Sequence, residues 1–353
     1  MQRLIERINR RVPAWTRENR ITSGLLVSLY KIMVKFDNDF KKQIDSAIDD
    51  YRDNSIGHDR LYNDMLTEDV KFWVRPSEYS RFDIFEKTES ERREYLPDFE
   101  EISIFKWTEG NNILPDSKFE RYSMFNRYFK RGVLCIDALQ PSDDEYKDFI
   151  ADKDKVIVKP LRGTKGHGVI IVNTNDIPTL HMFRKTFQND SLLEELIDQG
   201  DEMKQFHPQS VNTVRFVTGI NHSGVFHPIF ALVRAGQGGS VVDNVSSGGL
   251  VALIDMKTGQ ICSDAYRGTT RFESHPDTNV KFQGFKIPEW NELCSLVKEI
   301  HLSQSGQRVF GFDMAWTNKG WDLVEVNPAP SFDSYQELTG KGVRSYLYEL
   351  EMI

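Results

Sequence analysis

Apolar residues return at helical intervals along the first seventy positions. Leu26, Tyr30, Met33 and Phe36 fall on one side of a helix, and the charged stretch Lys41–Tyr51 keeps the same period. Arg75-Pro76-Ser77-Glu78-Tyr79 opens a further element, with Ser77 expected as its N-cap behind Pro76. Phe85–Glu101 is crowded with charge and reads as a solvated helix followed by a turn at Pro97. Lys118–Arg131 is helical again and sets Phe119, Tyr122, Phe125 and Phe129 along one side. From Val133 the pattern changes to short β-branched runs: Val156–Val158, Val169–Val172, Val211–Gly219, Phe226–Val233, Gly249–Ile254 and Val309–Trp316. A helix is expected at Trp290–Ser303. The pattern predicts an α+β body of largely antiparallel sheets behind a mainly helical N-terminal region.

With 353 residues the chain is long enough for two or three lobes. Hydrophobic content of 39% and aromatic content of 12% fit a globular protein. A net charge of -8 argues against nucleic acid as the main partner, while leaving room for a local basic groove that binds phosphates. Cys135, Cys262 and Cys294 are far apart and form no CxxC pair, so they read as reduced residues of a cytoplasmic protein. No apolar run reaches the roughly 18–20 residues of a membrane span; Ser23–Val34 is short and carries Lys31. The first twenty residues hold Arg3, Arg7, Arg10, Arg11, Arg17 and Arg20 against Glu6 and Glu18. They are read either as a solvated helix or as a weak attachment to an anionic membrane surface.

Candidate chemistry concentrates after residue 150. Val309–Trp316 and Trp321–Val326, joined by Thr317-Asn318-Lys319-Gly320, read as a β-hairpin. Side chains two apart on a strand share a face, so Glu325 and Asn327 point together and Asp313 on the partner strand converges on them. Three hard oxygen ligands on a rigid sheet suit Mg²⁺; an exposed hairpin with ordinary polar residues is the plainer reading. Lys159-Pro160 ends a strand and leads into Arg162-Gly163-Thr164-Lys165-Gly166-His167-Gly168. Its glycines let backbone N–H groups approach a polyphosphate beside the fixed charge of Lys159. It is not a Walker loop, and a plain hairpin turn also needs glycine. Ser191–Ile197 runs from an apolar strand into Glu194-Glu195, which suits a hinge pairing with an adenine edge, or else an amphipathic helix. Arg215 and Arg234 suit forked recognition of phosphate or carboxylate, or form surface ion pairs. Asp243-Asn244 and Ser246-Ser247-Gly248-Gly249 make a polar loop able to bring backbone donors to an anion. His167, His207 and His275 lack companions at metal-ligand spacing and read as structural or surface residues.

In this order the pieces resemble the ATP-grasp superfamily over roughly residues 113–353. Four further blocks are similar to its sugar-transfer-associated group: His207-Pro208 with Ser210–Arg215, Val242–Asn244 with Gly248-Gly249, Ile287–Trp290, and Leu338–Arg344. The resemblance implies two α+β lobes clasping ATP, one at about 133–198 carrying the glycine loop and one at about 199–353 carrying the metal site. Residues 1–112 would then form a substrate- or partner-binding region. It implies that Lys159 binds the α/β phosphates and that the loop with Gly163, Thr164, Gly166 and Gly168 closes over them. Glu194 and Leu196 would meet adenine, largely through backbone. Asp313, Glu325 and Asn327 would hold Mg²⁺, two ions in all, with Mn²⁺ able to substitute. A second ATP lysine is expected upstream: Lys118 is the choice and Lys130 the rival.

The resemblance further implies an acid–amine ligase. A carboxylate attacks the γ-phosphate of ATP, and an amine displaces phosphate from the acyl phosphate to give an amide. Arg215 and Arg234 would orient the carboxylate and the transferring phosphoryl group, with Asn244 beside them and backbone donors near Gly248-Gly249 holding the oxyanion. The acid is expected to be a sugar-linked, uronic carboxylate of surface polysaccharide biosynthesis, joined to an amino acid or small amine. A peptide-tailoring ligase, a sugar or small-molecule kinase, and a non-catalytic nucleotide-binding regulator are the other readings.

Overall fold

The computed structural model describes residues 20–34, 37–51, 55–101, 114–115, 117–162, 168–240, 243, 248–268, 270–304 and 306–353. The chain divides into two compact units, one of residues 1–107 with 331–353 and the other of residues 108–330.

The first unit is helical. Helices α1 (Arg20–Val34), α2 (Asn38–Asp49) and α3 (His58–Phe72) are followed by two short ones, α4 (Pro76–Arg81) and α5 (Glu89–Glu94). Asp37 starts α2 by accepting a hydrogen bond from the Phe40 amide at 3.1 Å, and Phe40, Ile44 and Ala47 then line one buried face. In α1 the buried residues are Val27, Tyr30 and Val34, with Leu26 half-buried. Of the expected line, Tyr30 is buried and Leu26 half-buried, with Val27 and Val34 beside them, while Phe36 lies outside the described residues. The Tyr30 hydroxyl, which donates to Asp69 on α3, helps fix that face. Helix α4 begins at Pro76 itself, with Arg75 as N-cap in place of the expected Ser77. Proline's fixed φ and missing N–H suit the first helical position, and Glu78 reaches back to the Arg75 amide at 2.7 Å. The charged stretch 85–101 is not one helix. Its central piece, α5, buries no residue and rests on a Thr88–Glu91 capping box.

The second unit opens with α6 (Lys118–Phe125), capped by Ser117, which ends in a single 3₁₀ turn at Asn126–Tyr128. Of its expected aromatic side only Phe125 is buried, joined by Tyr128 of the turn, and the helix is shorter than the fourteen residues expected. A four-stranded antiparallel sheet follows, built from β1 (Val133–Ile136), β2 (Lys155–Pro160), β3 (Ile170–Asn173) and β4 (Ser191–Glu195) in the order β1-β4-β2-β3. Helices α7 (Asp143–Ile150) and α8 (Leu180–Thr186) cover it through Tyr146, Ile150, Leu180 and Phe183. After the single-turn α9 (Asp201–Lys204), the larger sheet is formed by β5 (Thr213–Ile220), β6 (Phe226–Ala235), β7 (Leu250–Ile254), β8 (Ala265–Arg267), β9 (Thr270–Phe272), β10 (Val309–Thr317) and β11 (Gly320–Asn327). Its order is β11-β10-β5-β6-β7-β8-β9, antiparallel throughout. Helix α10 (Trp290–Leu302) packs Trp290, Leu293, Val297 and Ile300 into the same core as Val214, Phe216, Phe312 and Met314.

The closing segment belongs to the helical unit. Here α11 (Asp333–Thr339) and α12 (Arg344–Glu349) return to residues 81–101. The Gln336 amide both accepts from the Leu96 N–H at 2.7 Å and donates to the Leu96 carbonyl at 2.9 Å. Arg344 is taken up by the Arg93 and Tyr95 carbonyls and by Glu100, and Arg81 pairs with Asp333 at 2.6 Å. No described helix is long and apolar enough to cross a membrane.

Candidate active site

The larger sheet sorts its residues by face. Arg215 lies opposite Asp313, and Asp313 opposite Glu325; Gly311 faces Asn327, and Thr213 faces Arg234. Directly opposed residues share a face. Arg215, Asp313, Glu325 and Asn327 therefore stand on one side, while Phe216, Phe312, Met314 and Val326 fill the core on the other. A β-bulge after Asp313 leaves Val324 as an extra residue between the pairs at Glu325 and Leu323, a device that re-aims side chains locally.

Charge on this face is dense and mostly paired. Asp313 is buried and accepts from both arginines: Arg215 through Nε and through Nη2 at 2.9 Å, and Arg234 through Nη1 at 3.0 and 3.1 Å. Burial pushes the Asp313 carboxyl up, but the two guanidinia outweigh it and hold it below its usual value. Arg234 also binds Asp243 at 3.1 Å, and Asp243 accepts from the Thr213 amide at 3.1 Å and from its hydroxyl. These are buried pairs, not the surface pairs that the residues alone also allow. Breaking one leaves a charge stranded in low dielectric. Asn327 turns its amide nitrogen toward Asp313 Oδ2 and the Gly311 carbonyl, each at 3.5 Å. The Glu325 carboxylate is half-buried, and among the described residues none is hydrogen-bonded to it.

This donor set fits a divalent cation. Glu325 offers an open carboxylate and Asn327 an amide oxygen, while each oxygen of Asp313 already accepts from both arginines and would ligate only as a guanidinium turns away.

The smaller sheet brings up the cationic groups. Lys159, near the end of β2, pairs with Glu194 of the neighbouring β4 at 2.9 Å. Glu194 is buried and also held by Arg131, at 2.8 Å through Nη2 and 2.9 Å through Nε. Burial alone would raise its pKa, yet Lys159 and Arg131 together bring it down to about 2. The Glu194 side chain is thus committed to the two cations, which leaves its backbone for any adenine contact. Leu196, just past β4, is 39% exposed. Lys118 donates to the Pro160 carbonyl at 3.2 Å, beside Lys159. Burial pushes the Lys118 ammonium down, against the pull of Glu325 and with help from Arg121 and Lys159. Lys130 instead reaches the Lys319 carbonyl in the exposed turn of the hairpin. Gly168 has φ of +76°, and a Cβ there would stand 2.8 Å from Pro160 Cγ, so turn and close approach both require glycine. Gly163, Thr164, Gly166 and Asn244 lie outside the described residues.

Two residues of this region carried no signal in the sequence. Arg131 and Asp322 meet at 3.2 Å across 191 positions, and neither belongs to a motif. His207 and His275 serve the framework: His207 is bonded to Ser210 Oγ and the Gly238 carbonyl, each at 2.9 Å, and His275 to the Gly236 carbonyl at 2.7 Å.

A family profile described as sugar-transfer associated ATP-grasp matches residues 134–351. No curated protein matches the sequence. Among solved structures, an N5-carboxyaminoimidazole ribonucleotide synthetase from Thermotoga maritima is similar at 11% identity and a TM-score of 0.37, over 63% of this chain and 44% of that one. D-alanyl-alanine synthetase A from Vibrio cholerae is similar at 13% identity and 0.39, over 67% and 63%. The biotin carboxylase domain of 2-oxoglutarate carboxylase from Hydrogenobacter thermophilus, in a complex with MgADP, ADP and bicarbonate, is similar at 14% identity and 0.38, over 62% and 40%. The chain spans less than two thirds of the length of each.

Proposed function

Because the chain belongs to the sugar-transfer-associated ATP-grasp family, whose profile covers more than half of it, we propose that it is an ATP-dependent carboxylate–amine ligase working through an acyl phosphate. The observation that carries this reading is the shared face of Asp313, Glu325 and Asn327, set against two arginines and served by Lys159 and Lys118. That face is a cation and phosphate site in its chemistry, whatever acid it activates.

Each group has a definable task. Lys159, anchored by Glu194, and Lys118 neutralise phosphate oxygens, which phosphoryl transfer needs more than covalent help. Asp313, Glu325 and Asn327 hold Mg²⁺, which when bound spreads the charge of the phosphates. Arg215, with its side chain 20% exposed, is the guanidinium able to turn to an incoming carboxylate. Arg234, at 7%, keeps Asp313 and Asp243 in register. Gly163, Thr164, Gly166 and Gly168 close over the phosphates, Glu194 and Leu196 present backbone to adenine, and Asn244 lies beside the reacting carboxylate. The site would take two ions, with Mn²⁺ able to replace Mg²⁺. The acid is a sugar-linked, uronic carboxylate of surface polysaccharide biosynthesis and the amine a small one or an amino acid. The reaction runs in the cytoplasm, with the arginine-rich first twenty residues resting weakly on an anionic membrane surface.

The test is phosphate release from ATP across a panel of uronic acids and nucleotide sugars with amines. The ligase reading expects release that depends on both acid and amine. Release with a hydroxyl acceptor and no amine would make the protein a kinase instead. Glu325→Gln should lower Mg-dependent turnover at least about 100-fold, the scale of losing a group that stabilises transition-state charge. Full turnover in that variant would remove Glu325 from the metal site.

A further inference from the structure

Among the described residues of the second unit, Arg131 is a deeply buried cation that none of the tasks above employs, with its side chain 4% exposed. It sits just before β1, between the two sheets. A guanidinium has five N–H donors, and here every nitrogen is engaged. Nε and Nη2 hold Glu194 Oε2 at 2.9 and 2.8 Å. Nη1 reaches Asp322 Oδ2 at 3.2 Å and the Leu323 carbonyl at 2.8 Å, and Nη2 reaches the Val324 carbonyl at 3.1 Å. The Phe129 ring lies 4.9 Å from its Cζ.

The placement of these partners matters more than their number. Glu194 is the carboxylate that fixes Lys159. Asp322, Leu323 and Val324 are the three residues of β11 that run directly into Glu325, and Val324 is the one left over at the bulge. One planar group therefore touches the anchor of the phosphate lysine on one sheet and the backbone leading to the metal carboxylate on the other. A buried ion network is a poor way to gain stability alone, since well-packed apolar groups commonly do as well or better. What a forked, saturated guanidinium does supply is fixed geometry.

We infer that Arg131 is a positioning residue that sets the spacing between Lys159 and Glu325, and so couples binding of the nucleotide phosphates to binding of the metal. This rests on the ATP-site reading proposed above. Through Glu194 it keeps Lys159 pointed at the phosphates; through the 322–324 backbone it keeps the bulge, and with it the Glu325 carboxylate, in place.

The experiment uses the full chain with Arg131→Met, Arg131→Lys and Lys159→Met. The dissociation constant of a fluorescent ATP analogue is measured at saturating Mg²⁺, then the Mg²⁺ concentration for half-maximal analogue binding, and the melting temperature alongside. Wild type is expected to bind the analogue with Mg²⁺. Arg131→Met should weaken both constants together by about 10–100-fold, the range seen when outer partners of a metal site are removed. Arg131→Lys, which keeps the charge near Glu194 but not the fork, should recover nucleotide affinity in part and Mg²⁺ dependence hardly at all. Lys159→Met should weaken the nucleotide constant without moving the Mg²⁺ midpoint. If either Arg131 variant melts lower yet keeps both constants, Arg131 is only a staple between the sheets and the inference fails. If Arg131→Met does not fold, Arg131→Lys alone decides in the same way. If wild type itself binds no nucleotide, the ATP-site reading falls, and this inference with it.

Discussion

Gly311 is a tight point on the face that carries Arg215 and Asp313. A Cβ at this position would lie 2.7 Å from Pro330 Cβ and 3.3 Å from Arg215 Cδ, so the arginine crosses β10 over a residue without a side chain. Gly311→Ala is expected to cost about 1–3 kcal/mol, the usual range for overpacking a filled site, read as a lower urea midpoint. Pro330 is the group that must shift and Arg215 is crowded next to it, so acid-dependent phosphate release should fall further than the stability loss explains. The sequence shows a glycine two positions before Asp313 but not what it makes room for. The same limit applies to Arg131 and Asp322. Each is an ordinary charged residue to any local pattern, and their meeting depends on strands far apart in the chain. Glu325 and Asn327 were legible because alternation on one strand is a local property.

At the scale of elements, the antiparallel hairpin of β10 and β11 and the runs of β5, β6 and β7 follow from alternation and turn residues, with ends within a few positions of those expected. The helical unit was harder. Its α1 carries apolar residues on two faces: Val27, Tyr30 and Val34 are buried while Leu25, Leu29 and Ile32 remain exposed. Periodicity alone does not choose between them. Helix α4 hides a second surprise, since Glu78 on it is 1% exposed. Burial raises its carboxyl from 4.5 to about 7, against hydrogen bonds from the Asp98 and Arg75 amides and reinforced by the charges of Asp333 and Asp98. Glu101 and Asp333 are also pushed up, in each case first by burial. The folded unit therefore binds protons more tightly than the unfolded chain. The part of its stability that comes from Glu78 is fully present below about pH 4.5 and is lost as pH rises through about 7. Glu78→Gln should flatten that dependence, with melting temperatures that change less between pH 5 and pH 8 than in wild type; an unchanged slope would take Glu78 out of the account.

Over the whole molecule the two units are expected to answer acid in opposite directions. In the α+β unit His301 is buried, bonded at Nδ1 to Thr218 Oγ1 at 2.7 Å, and burial drives its pKa from 6.5 down to about 4. A depressed histidine gives stability that is present above pH 6.5 and lost as pH falls through about 4. Calorimetry should thus show two transitions drawing apart or crossing between pH 8 and pH 4, the helical one rising and the α+β one falling. A single transition with one pH slope would contradict this.

The return of residues 331–353 to the helical unit also orders events in time. A ribosome delivers α1 to α5 first, yet Leu96 waits for Gln336, and Arg81 for Asp333, across more than two hundred intervening residues. The inserted α+β unit has all its own strands by Asn327 and can condense as soon as they emerge. Cutting the chain after Pro330 should leave that unit cooperative and cost the helical unit its transition. The helical unit is then completed only after the α+β unit that interrupts it, and until Asp333 and Gln336 arrive Arg81 and the Leu96 backbone lack these partners.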